Sequence, residues 1–118
     1  MIPFSYRFHG HNSLRYVYKN GQAVRSHLIT IKTTINPNRK NSRVAVVISK
    51  KVLKSAVGRN RIRRRIYEYI RPKLPLLNNI YDIVIIVSSA EMLNIDHDDM
   101  VEHFDQIINQ AGLINPQS

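Results

Sequence analysis

Five of the seven residues from 59 to 65 are arginine, in the run Gly58-Arg59-Asn60-Arg61-Ile62-Arg63-Arg64-Arg65-Ile66-Tyr67-Glu68. A guanidinium offers a planar fork of donors that grips a phosphate through two parallel hydrogen bonds and stacks on unpaired bases. Charge this dense on a segment of helical periodicity destabilises the fold by self-repulsion unless a polyanion neutralises it, which points to nucleic acid. Solvated helix faces normally mix signs through pairs three or four residues apart. Here Glu68 is the only acid in reach, with Arg64, Arg65 and Arg71 as its possible partners. Among the basic residues of 59–73 only Lys73 is lysine, and the preference for arginine suits irregular RNA. Asn60 adds a side chain that both donates and accepts. Lys50, Lys51 and Lys54 precede the run, where the free amides of a helix N-terminus favour anions.

Little else in the chain is equipped for chemistry. Residues 1–73 hold all 18 Lys and Arg and one acid, whereas residues 74–118 hold no Lys or Arg and seven acids. The basicity is therefore a property of one region. A two-metal nuclease site would have to draw on Asp96, Asp98, Asp99 and Glu102, yet the N-terminus of a helix explains acids there without catalysis. His9 and His11 flank Gly10 with no third ligand nearby and read as solvated loop histidines. There is no Gly-rich phosphate loop and no Ser/His/Asp or Cys/His arrangement. No catalytic residue and no metal site is expected in the chain by itself. Tyr16 and Tyr18 can stack on nucleotides; Tyr18 shares the apolar stripe of its helix, so packing competes for it, while Tyr16 points elsewhere.

The elements that position these residues follow from periodicity. A chain of 118 residues, 43% apolar, makes one domain with one core. The absence of cysteine excludes disulfides and thiolate metal sites. The N-terminus lacks the apolar stretch of a secretion signal, and the longest apolar run, residues 83–87, is too short to span a bilayer, so a cytoplasmic protein is expected. A short first helix is capped by Asn12 or Ser13, carries Leu14, Val17 and Tyr18 on one stripe, and ends at Gly21. Residues 23–35 are rich in β-branched side chains and read as one long strand, 36–41 as a turn, and 43–49 as a strand buried on both faces. The arginine helix covers residues 55–71, with Ser55 as cap and Pro72 as stop. Ile62, Ile66, Tyr69 and Ile70 fall within about 100° on its wheel and face the core. Asn60, Arg61, Arg64, Tyr67, Glu68 and Arg71 lie on the far side, and Arg59, Arg63 and Arg65 on the flanks. Residues 72–80 form a loop and 81–88 a buried strand. A last helix starts near Asp96, buries Met100, Phe104, Ile107, Ile108 and Ala111, and ends at Gly112. The order α-β-β-α-β-α describes a small α+β sandwich.

Two stretches carry a resemblance. Val46-Val47-Ile48-Ser49-Lys50-Lys51-Val52, followed by Lys54-Ser55-Ala56-Val57-Gly58-Arg59-Asn60-Arg61-Ile62-Arg63-Arg64, resembles the protein subunit of bacterial ribonuclease P, a family marked by an R-N-R helix after a strand ending S-K-K-V. Arg7-Phe8, Leu14, Val17-Tyr18-Lys19-Asn20-Gly21 and Val24-Arg25-Ser26 follow the family's opening pattern. The resemblance implies a two-layer α/β sandwich of the ribosomal protein S5 domain 2-like type, in α-β-β-β-α-β-α order with a left-handed crossover through the arginine helix. That order requires residues 23–48 to hold three strands. Residues 1–118 form a single domain, with 1–6 as an arm and 113–118 as a tail.

The implied activity is that of a subunit. In this family the protein binds a catalytic RNA, which removes the 5′ leader of precursor tRNA with Mg²⁺, and the protein positions substrate without performing the cleavage. The implied partners are that RNA and precursor tRNA, with no membrane and no small-molecule substrate. By position, Arg59, Asn60, Arg61, Arg63 and Arg64, with Arg65 beside them, face the catalytic RNA, and Lys50, Lys51 and Lys54 lie near it. Leu14 and Tyr18 occupy the leader-binding cleft. Leu14 stands where the family has Phe, Tyr67 where it commonly has Arg, and Ser88-Ser89 where many members are basic, and the C-terminal half is unusually acidic. A weaker grip on the leader is the expected consequence. From the residues alone, a ribosomal or general structured-RNA-binding protein, a self-sufficient endonuclease and a DNA-binding helix-turn-helix also stand open. Five arginines in seven residues leave few side chains to read DNA bases.

Overall fold

The computed structural model describes residues 11–115 of the chain, and side chains from residue 14 onward. The arm at 1–6, His9 and the side chain of His11 lie outside these residues. In chain order the elements are α1 (His11–Asn20), β1 (Gln22–Arg25), β2 (Ile29–Ile35), β3 (Arg43–Ile48), α2 (Ala56–Ile70), β4 (Tyr81–Val87) and α3 (His97–Ala111), with 3-10 turns at Arg71–Leu76 and Ala90–Leu93. The strands form one sheet in the order β1-β2-β4-β3. β2 pairs antiparallel with β1 and with β4, and β4 pairs parallel with β3, so the chain crosses from β3 to β4 through α2.

Register sorts the strand residues onto two faces. Ile29, Ile31 and Thr33 stand opposite Val87, Ile85 and Ile83, which in turn face Ile48, Val46 and Val44. The apolar members of this set meet the stripes of α2 and α3 in the main core. On the other face Ala45 and Val84 bury against Val17 of α1, with Leu14, Val47 and Ile86 packed around them. Arg43 and Asp82 are also paired by the parallel register. Arg43 donates from Nε and Nη2 to the two carboxylate oxygens at 2.8 Å each, and Asn36 Nδ2 donates to the same carboxylate at 2.9 Å. This bidentate geometry and the additional donor keep a buried ion pair from being left unsatisfied.

Several expectations are corrected. The single strand over 23–35 is two, because Ser26 turns the chain: its Oγ accepts from Leu28 N and Ile29 N, both at 3.2 Å, and Leu28 drops into the core. This supplies the third strand that the resemblance required. Asn12 and Ser13 lie within α1 rather than at its cap. The expected loop at 72–80 begins as a 3-10 turn, since Pro72 near its start needs no amide partner, and Leu74 is buried there. Gly21 does end α1, for a steric reason: a Cβ there would lie 2.5 Å from Val17 O and 3.2 Å from Thr33 O, so only glycine lets α1 settle this close to β2.

The chain beyond α3 is not a free tail. Gly112 adopts φ 70°, its amide donates to Asn109 O, and Leu113 N donates to Ile108 O. This is the pattern in which a left-handed glycine ends a helix and the next apolar residue folds back onto it. Leu113 is accordingly 1% exposed in the main core, and its carbonyl accepts from Asn78 N at 2.8 Å. Residues 116–118 lie outside the described residues.

Candidate nucleic-acid interface

The spacing of Ile62, Ile66, Tyr69 and Ile70 settles how α2 lies on the sheet: all four are buried, together with Gly58. Ser55 caps the helix, its Oγ accepting from Gly58 N at 3.0 Å, and Arg71 follows the last turn. Just upstream, Val52 N and Leu53 N both donate to Ser49 O, forming a tight turn that leaves Lys50, Lys51 and Lys54 exposed at the head of α2. No acid occupies the first turn of the helix. The positive end of its dipole is therefore surrounded by like charge, an arrangement that favours an anion.

The structure divides the arginines into two groups. Arg61 and Arg64 are exposed and, with Asn60, Ser55, Val57 and Leu93, line an open hollow of about 570 Å³. Neither forms an ion pair among the described residues, and Glu68, the only nearby acid, makes none either. Arg59 and Arg65 are engaged by the fold. Arg59 Nη1 donates to Leu53 O at 2.9 Å and Lys54 O at 2.8 Å, strapping the preceding turn to the helix. Arg65 reaches the 3-10 turn before α3, donating from Nη1 to Met92 O at 2.9 Å and from Nη2 to Ile95 O at 2.5 Å. Arg63 lies between these cases, half-buried, with Nη1 donating to Asn60 Oδ1 at 3.0 Å. Tyr67, expected on the far side, packs partly against the main core.

Leu14 and Tyr18 lie on α1, across the sheet from the arginines. Leu14 is half-buried against the small core. Tyr18 is 37% exposed, and Lys32 Nζ donates to its carbonyl at 3.0 Å while standing 5.2 Å from its ring centroid. Burial pushes the Tyr18 phenol upward. Ser88 is exposed, and Ser89 caps the following 3-10 turn by accepting from Glu91 N.

Among the described residues, no three His, Cys, Asp or Glu side chains come together as a metal ion would require. Asp96 caps α3, its Oδ2 accepting from Asp98 N at 3.2 Å, in keeping with a helix-terminal role for these acids. A polar cluster that the sequence did not reveal joins α2 to α3. The Tyr69 phenol donates to the Asp105 carboxylate, and Lys73 Nζ stands 3.6 Å from the same carboxylate. Burial first, and this carboxylate second, push the Tyr69 phenol far up. Residues 36 positions apart gave no local signal of that contact.

These features define a small α+β protein whose chemical surface is a polycationic helix and the lysine-rich turn before it. The family model of Ribonuclease P matches residues 2–112, and the chain belongs to this family. It is 31% identical to the ribonuclease P protein component of Prochlorococcus marinus (strain AS9601), over 96% of this chain and 98% of that protein. The component from Synechococcus sp. (strain WH7803) is 26% identical over 96% of this chain and 98% of its own length. The fold matches the Staphylococcus aureus RNase P protein with TM-score 0.82 at 23% identity, covering 93% of this chain and 98% of that one. It also matches the Thermotoga maritima RNase P protein, solved in complex with 1-(4-fluorophenyl)-2-thiourea, with TM-score 0.75 at 21% identity, covering 92% and 100%. Membership carries the role of a ribonuclease P subunit in tRNA processing. No helix among the described residues is long and apolar enough to cross a membrane.

Proposed function

We propose that the chain binds the catalytic RNA of ribonuclease P through α2 and the turn before it, and holds the single-stranded 5′ leader of precursor tRNA on the α1 face of the sheet. In this reading it acts in the cytoplasm and promotes Mg²⁺-dependent removal of the leader. The observation that carries the reading is the outward face of α2. Arg61, Arg64, Lys50, Lys51 and Lys54 are exposed and form no ion pair among the described residues, and two further arginines are spent on fixing that helix and its leading turn. An array of guanidinium groups displayed from a fixed helix suits phosphates held in an irregular RNA surface.

Leu14 and Tyr18 are assigned to the leader. Leu14 supplies apolar contact but no stacking, so the grip at that point is weaker than an aromatic residue would give. Mg²⁺ is assigned to the assembled enzyme: the acids Asp96, Asp98 and Asp99 do not converge as a donor set, and no step of the cleavage is assigned to a residue of this chain.

Reconstitution tests the proposal. The protein is combined with 5′-extended precursor tRNA at low Mg²⁺, with and without a bacterial ribonuclease P RNA. Cleavage at the mature 5′ end that depends on both is the expected result. Tight RNA binding with no stimulation of the RNA would point to a general structured-RNA-binding protein, and cleavage by protein alone to an active site of its own.

A further inference from the structure

The outer side of α1 carries a feature that the arginine helix and the Leu14–Tyr18 pair do not use. Tyr16 is 60% exposed and Ile35, at the end of β2, is 56% exposed. Together with Thr34 they line two adjoining open hollows of about 450 and 260 Å³. The larger is bordered by Asn20 and Gln22, the smaller by the turn at Asn36, Pro37 and Asn38. Two large apolar side chains are thus left in water side by side along one rim.

The chemistry around this rim selects its occupant. Among the described residues Asp82 is the one acid lining it, and Arg43 and Asn36 already hold that carboxylate. The turn continues into Arg39 and Lys40, both exposed and without an ion pair among the described residues. An aromatic face lined by neutral hydroxyl and amide groups, with Arg39 and Lys40 following along the adjoining turn, is a composition suited to unpaired nucleotides, the base on the ring and the phosphate toward the turn.

We infer that Tyr16, backed by Ile35, is a stacking platform for a nucleotide of the precursor leader, a subsite separate from Leu14 and Tyr18. The inference rests on the leader reading above. β3 runs from Arg43, at this rim, to Ile48, which leads into the lysine turn and α2. Six residues of strand, at roughly 3.3 Å each, therefore separate the platform from the head of the arginine helix. A platform so displaced meets only leaders long enough to reach it, and it offers the stacking that Leu14 lacks.

The test uses the reconstituted holoenzyme and two precursors, one with a single-nucleotide leader and one with a leader of several nucleotides. Tyr16→Ala is expected to weaken binding of the long-leader precursor on the order of tenfold. Affinity for the single-nucleotide precursor should be unchanged, and Tyr16→Phe should behave as wild type on both. Equal losses on both precursors, no loss on either, or a Phe variant as weak as Ala would each overturn the inference. Wild-type protein serves as the separate control. If it fails to stimulate the RNA, the leader reading falls and the platform with it; if it stimulates normally while Tyr16→Ala is silent, only the platform falls.

Discussion

α2 and α3 are both fifteen residues long, pack on the same face of the sheet and bury comparable apolar stripes, yet they carry opposite charge. α3 follows the rules for a stable helix. Asp96 caps it, Asp98 and Asp99 sit in its first turn against the positive end of the dipole, and Gly112 with Leu113 closes it. α2 has a good cap in Ser55 but no acid in its first turn, and a head surrounded by Lys50, Lys51, Lys54 and Arg59. Its charge works against the isolated protein and would be relieved by a bound anion. The two helices thus separate stability from function: one faces water on its own terms, the other is left incomplete until its partner arrives.

The contrast can be broken at its strongest point by changing Arg61 and Arg64 together to Ala. RNA affinity should fall by about 3 kcal/mol, each lost charge-assisted contact contributing roughly 1.5 kcal/mol or more. The slope of log K against log salt should become shallower by about two. The thermal midpoint should stay near wild type, because among the described residues neither side chain makes a hydrogen bond or ion pair to another part of the fold. A folded double mutant of unchanged affinity would remove α2 from the interface.

Arg65 sharpens the division within α2 itself. Arg65→Ala leaves Met92 O and Ile95 O without their donor, and a loss of about 1–3 kcal/mol of stability is expected in a denaturant titration. Its effect on RNA affinity should be smaller than that of the Arg61 and Arg64 pair. The reverse ranking, a stable protein with greatly weakened RNA binding, would return Arg65 to the RNA-facing group.

The smallest effect belongs to α3. Asp96→Ala should lower stability by about 1 kcal/mol through loss of the cap, with RNA affinity of the folded protein unaltered. A fall in affinity at constant fold would mean that the acidic helix takes part in RNA recognition.

Much of this arrangement was legible locally. Four apolar residues at helical spacing defined which side of α2 meets the core, and with it that Arg61 and Arg64 face outward. Ser55 and Pro72 marked its limits, and Gly112 the end of α3. The break between β1 and β2 was hidden because Leu28, on the core side of the turn, prolongs an apolar pattern, and the sign of the turn was a single serine hydroxyl. Leu113 was missed because a residue after a helix-ending glycine is core only if the helix directs it there.

The sequence by itself determined the polycationic character of one region of the chain, its core stripes and its mixed α+β class, since these depend on composition and on contacts within a few residues. Which arginines remain free was decided by tertiary structure. Arg61 and Arg65 are the same residue type four positions apart, but only Arg65 comes within reach of carbonyls roughly thirty residues away. The Arg43–Asp82 pair and the Tyr16–Ile35 rim likewise exist only once strand register and the seating of α1 bring distant segments together. A guanidinium or an aromatic ring has the same chemistry wherever it occurs; whether that chemistry is used inside the fold or offered to a partner depends on which groups folding brings within hydrogen-bonding distance.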